Sequence, residues 1–114
     1  MVLSSILLFC LAALFGLGLI VLGVRYRRGS LALGLGHAGV ALLALIVLAV
    51  HIFTSRVNML YDNAALLFIL TLGGGVVLLA LREGRKPPPM VVVGIHALMA
   101  VAGIVVLVVG YAQA

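Results

Sequence analysis

Charge is what this sequence most conspicuously lacks. Only 8% of its 114 residues are Asp, Glu, Lys or Arg, against about 25% in ordinary soluble domains. With 67% apolar residues and a mean hydropathy of +1.49, most of the surface has to face lipid. Acidic residues number two, Asp62 and Glu83, and both are expected in connecting segments. A membrane-embedded glutamate in the first helix, on which the small four-helix multidrug exporters depend, is therefore missing although length and span count match. No carboxylate is buried beside a histidine, and no serine or cysteine constellation supports nucleophilic or acid–base catalysis. A phosphate-cradling glycine loop is absent too. Cys10 stands alone, which excludes an intrachain disulfide and reads as a small packing residue.

What remains is organised into long apolar runs. A span needs roughly 20 mainly apolar residues, and four can be read: Ser4 to Val24, Leu31 to Phe53, Leu60 to Leu81 and Met90 to Tyr111. They use nearly the whole length, and the fold class expected is all-α, a bundle of four transmembrane helices forming one membrane domain. The first span has no positive segment before it and arginines after it, so it reads as a retained helix and not a cleaved signal. Arg27-Arg28-Gly29-Ser30 closes the first connection, and Pro87-Pro88-Pro89 blocks helix continuation before the fourth span. Asn58 or Asp62 is placed to cap the third helix.

The net charge of +5 and a pI of about 10.4 do not indicate nucleic acid, because the cations sit in two short loops and form no basic face. Arg25, Arg27 and Arg28 follow the first span, Arg82, Arg85 and Lys86 follow the third, and the second connection offers Arg56 against Asp62. The positive-inside rule then places loops one and three in the cytoplasm and both termini outside. A bacterial inner membrane is the location expected. Arg56 and Asp62, at the outer surface, are expected to be solvated or to pair locally.

The sequence also repeats. Sliding it by 59 residues, the distance from His37 to His96, aligns the first span with the third and the second with the fourth without gaps. Thirteen identities result, among them Phe9 with Phe68, Gly16 with Gly75, His37 with His96 and Leu48 with Leu107; a composition this rich in Leu, Val, Ala and Gly gives roughly five by chance over about 46 positions. Repeat one covers about residues 1–57 and repeat two about 60–114. Two equal hairpins joined by an outer loop are parallel repeats, expected to be related by a pseudo-two-fold axis along the membrane normal.

Ionisable groups inside a bilayer are costly enough to call for a reason. His37 comes six residues after Leu31 and His96 six after Met90, each about 9 Å below its helix start at a rise of about 1.5 Å per residue. At one depth on parallel, equivalent helices, the two imidazoles could ligate one haem iron from both sides if both point inward. Such a disc needs bare backbone beside it, and Gly16, Gly18, Gly73, Gly74 and Gly75 share the histidine layer. Its propionates would face Arg27, Arg28, Arg85 and Lys86.

These residues resemble the bis-histidine b-type membrane cytochromes, in which alternate helices of a four-helix bundle supply the ligands and glycines line the other two. The likeness spans the whole hairpin repeat. It implies one haem b held by His37 and His96, an electron-transfer role as a small cytochrome, and a quinone or a redox protein as partner, in a larger complex or a homo-oligomer. His51, 14 residues after His37 and on the same helix face, is similar to the second ligand of dihaem cytochromes b. The chain departs from that pattern, because the position equivalent to His51 is Gly110. A second haem would need a ligand from another chain, Met59, or an open coordination site.

Other readings use the same residues. Transmembrane histidines commonly bond to a neighbouring helix and transmembrane glycines commonly allow close packing, which describes a cofactor-free accessory subunit of a larger membrane complex. Met90, His96 and Met99 lie on neighbouring turns and suit copper(I), though methionine is also an ordinary apolar filler.

Overall fold

A computed structural model describes residues 1–26, 29–83 and 89–114, with Glu83 described by its backbone only. Among these residues all regular structure is helical: α1 (Val2–Arg25), α2 (Leu31–Thr54), α3 (Met59–Glu83) and α4 (Met90–Gln113). Asp62 and Glu83, expected in connecting segments, are instead in the first turn and at the last position of α3. Each has 24 or 25 residues, or about 36 Å of helix, and each is apolar enough to cross a membrane. The chain is thus an all-α integral membrane protein, and its exposed side chains, Leu7, Leu14, Leu35, Leu66 and Leu98 among them, are lipid-facing ones.

Helix starts follow from local chemistry. Ser30 Oγ accepts the Leu33 N–H at 3.1 Å and begins α2. Of the two residues expected to cap α3, Asn58 does so: its Oδ1 accepts from Leu60 N at 3.0 Å and its carbonyl from Asp62 N at 3.1 Å. Pro89 lies just before α4, where its missing N–H costs nothing and its carbonyl takes Val93 N at 3.2 Å. Pro87 and Pro88 lie outside the described residues.

The chain divides into two compact units, Met1–Ser55 and Arg56–Ala114, each an antiparallel pair of helices, hereafter hairpins one and two. In hairpin one the α1 face against α2 runs Val2, Ser5, Phe9 and Ala12, all buried, and then Gly16. In hairpin two the α3 face against α4 runs Tyr61, Ala64, Phe68 and Thr71, again buried, and then Gly75. The steps alternate three and four, the spacing of a coiled-coil seam. On the partner helices Ala44 and Leu48 correspond to Gly103 and Leu107, all four buried. Each of these buried positions has its counterpart 59 residues on, so the repeat extends from sequence to packing.

Since lipid is as apolar as leucine, helix association in the bilayer relies on close packing and interhelical hydrogen bonds. Hairpin one holds one such bond at Ser5, a fully buried residue whose hydroxyl donates to the Ala44 carbonyl at 2.9 Å. Replacing Ser5 by Ala is expected to destabilise the hairpin by about 0.6 kcal/mol, the average for interhelical hydrogen bonds in membranes. Unfolding in mixed detergent would read the change. Ala64 replaces Ser5 in hairpin two and removes the bond, but there Phe68 meets Gly103 so closely that an added Cβ would lie 2.8 Å from the ring.

Candidate functional site

Both expected ligands lie on the seam of their own hairpin. His37 is six residues into α2, and its ring rests on Gly16 of α1, where an added Cβ would approach Cε1 to 2.9 Å. Nδ1 is 2.7 Å from the Ala12 carbonyl. His96 repeats the arrangement: six residues into α4, it lies against Gly74 and Gly75 of α3, each with a virtual Cβ 3.3 Å from the ring, and Nδ1 is 2.9 Å from the Thr71 carbonyl. Histidine and accepting carbonyl are 25 residues apart in both cases. Both rings are half-buried.

A glycine is needed where it is because of the helix itself. The residue one turn after the accepting carbonyl sits directly above it, and a side chain there would cover the oxygen. Gly16 follows Ala12 by four residues and Gly75 follows Thr71 by four, so each carbonyl stays open to the ring as well as to its own helical N–H. A carbonyl oxygen can only accept, so the neutral imidazole carries its proton on Nδ1 and its lone pair on Nε2. Both histidines are thereby set in one tautomer.

The other residues singled out in the sequence fall elsewhere. Gly18 faces Leu33, whose Cδ2 would be 3.5 Å from an added Cβ, and Gly73 has no such neighbour within 4 Å. His51 is half-buried in the last turn of α2, with Nδ1 3.4 Å from Ser55 Oγ in the same unit. Its counterpart Gly110 is covered by Tyr61, whose Cε1 would be 2.9 Å from an added Cβ; Tyr61 stands where hairpin one has Val2. Met59 and Met90 are exposed, as are Arg56, Asp62 and Cys10. Among the described residues no three His, Cys, Asp or Glu side chains gather as they would around a metal ion. Arg27, Arg28, Arg85 and Lys86 lie outside the described residues.

Sequence reasoning missed Ala12 and Thr71, whose contribution is a main-chain oxygen. Their side chains differ, so the repeat gives no identity there, and the available signal was position, one turn before a glycine that does repeat. No family model, curated protein or solved structure matches the chain.

Proposed function

We propose that the chain is a small membrane-embedded b-type cytochrome, an electron-transfer protein or subunit in which His37 and His96 are the axial ligands of one haem. One observation carries this reading: at equivalent positions both imidazoles give Nδ1–H to a main-chain carbonyl. That puts the lone pair on Nε2 and restrains the ring's orientation, which is what the outer partners of metal-binding histidines do. Haem, when bound, supplies reversible one-electron chemistry, and two histidine ligands favour electron transfer over oxygen chemistry. The chain's own part is to hold both rings in the ligating tautomer within a water-poor span and, through Arg27, Arg28, Arg85 and Lys86, to offer charge to propionates. On this reading loops one and three are cytoplasmic and both termini external, as the loop charges favour, in a bacterial inner membrane. The redox partner is a quinone or a protein, met in a larger complex or a homo-oligomer.

The test is spectroscopic. Full-length protein made in haem-replete cells and purified in detergent is expected to show a low-spin haem spectrum that sharpens with dithionite. His37→Ala and His96→Ala should each remove the low-spin form completely, and His51→Ala should leave it. A folded protein that purifies colourless defeats the cytochrome reading. A second reading would then stand, that of a cofactor-free accessory subunit, and the same two hydrogen bonds favour it because each also fastens one helix of a hairpin to the other.

A further inference from the structure

Each histidine is seated by its own hairpin. The His37 ring, the Ala12 carbonyl and Gly16 all belong to hairpin one, and the His96 ring, the Thr71 carbonyl, Gly74 and Gly75 to hairpin two. In both sockets the same edge of the ring meets the neighbouring helix. A Cβ at Gly16 would be 2.9 Å from Cε1, 3.3 Å from Nδ1 and 3.7 Å from Nε2, and one at Gly75 would be 3.3 Å from Cε1 and 4.0 Å from Nδ1, with Nε2 farther away. Each hairpin thus offers a single Nε2 lone pair, on the side of the ring farther from the glycine. A group that takes two axial imidazoles therefore needs two hairpins.

The segment that joins the hairpins takes no part in either socket. It is four residues long, Ser55 to Asn58, between the end of α2 at Thr54 and the start of α3 at Met59. The bonds at its ends stay within their own hairpins, Ser55 with His51 in the first and Asn58 with Leu60 in the second. Arg56 and Val57 between them are exposed, so turning the chain there breaks none of the described bonds. Exchange of a whole element about such a hinge keeps every contact inside the element and is a low-cost route to dimers, and short hinges invite it. We propose that the second hairpin of the haem site comes from a second copy of this chain. Two copies exchange hairpins, and His37 of one and His96 of the other ligate the same iron. The proposal rests on the cytochrome reading and adds to it the partner that completes the site.

Complementation between full-length chains tests it. His37→Ala and His96→Ala chains with different affinity tags are made together in haem-replete cells and purified in detergent over both tags in turn. Each chain made alone should lack low-spin haem, whereas the doubly purified pair should carry about one haem for every two chains, because only one of its two exchanged sites keeps both histidines. His96→Ala made with a chain lacking both His37 and His96 should carry none. A second measurement needs no substitution. Unaltered copies bearing the two tags should co-purify, and at least about tenfold less of the mixed pair should be recovered when haem synthesis is blocked, since a group bound only by the pair stabilises the pair. Unaltered copies that carry haem but do not co-purify, or a doubly purified variant pair without low-spin haem, overturn the exchange and leave the cytochrome reading standing. Unaltered protein that purifies folded and colourless overturns both.

Discussion

Gly103→Leu is expected to destabilise hairpin two by about 3 kcal/mol, the upper end of ordinary overpacking costs. Even the first carbon of the new side chain would fall 2.8 Å from Phe68 Cε1, 3.0 Å from Cζ and 3.1 Å from Cδ1. The ring cannot step aside cheaply, for Phe68 is only 5% exposed and shares the seam with Ala64 and Leu107, each at 0%. Relief has to come from separating α3 and α4, which forfeits the contacts that hold helices together in lipid. Gly39→Leu is the control: it adds the same bulk where a Cβ would meet nothing within 4 Å, and should stay within about 0.5 kcal/mol. Unfolding by sodium dodecyl sulfate in mixed micelles, followed by circular dichroism, gives both values. Adding Phe68→Ala to Gly103→Leu should recover part of the loss, since the two side chains compete for one space. Equal effects of the two leucines would mean that the described seam does not hold this hairpin.

The second large effect belongs to the histidine socket. Gly16→Ala places a methyl group 2.9 Å from His37 Cε1 and 3.3 Å from Nδ1, so the ring must withdraw and its 2.7 Å bond to the Ala12 carbonyl must lengthen. The expected cost is about 2 kcal/mol, combining an interhelical hydrogen bond with local overpacking and offset in part by alanine's better helix propensity. Gly18→Ala meets only Leu33 at 3.5 Å, an ordinary contact, and should be neutral or slightly stabilising. Imidazole 15N shifts provide an independent measurement. They should show His37 losing its single Nδ1–H tautomer in the first variant and keeping it in the second. If Gly18→Ala disturbs His37 as much as Gly16→Ala does, the socket is wrongly placed.

The contrast between Gly16 and Gly18 also marks how far the sequence could be read. Four spans were legible because an apolar run of membrane length has few alternatives, and the breaks at Ser30, Asn58 and Pro89 are chemical; the ends of α1 differ by two residues at Val2 and one at Arg25. The depths of His37 and His96 followed directly from the starts at Leu31 and Met90. What could not be read was the face of each helix. In a soluble helix polar residues mark the outside, but here Leu7 in lipid and Leu48 in the seam are the same residue type, and the three–four spacing from Val2 to Gly16 has nothing to stand out against. Five glycines near one depth were therefore expected to share one role. The structure gives Gly16, Gly74 and Gly75 to the imidazoles of their own hairpins and Gly18 to Leu33. Ser5 passed unnoticed because a serine near a helix start gives no sign that its hydroxyl reaches a carbonyl 39 residues away.

At the far end of the seam from the sockets, one hairpin has Val2 and His51 while the other has Tyr61 and Gly110, with the tyrosine ring lying over the glycine. Bulk has passed from one helix to its neighbour, which makes the two sites mutually dependent. A histidine at position 110 would collide with Tyr61, and trimming Tyr61 to valine beside Gly110 would leave a void. Each single exchange should be harmful and the double exchange tolerated, so placing a fourth histidine at position 110 requires passing through a damaged intermediate, a form of sign epistasis.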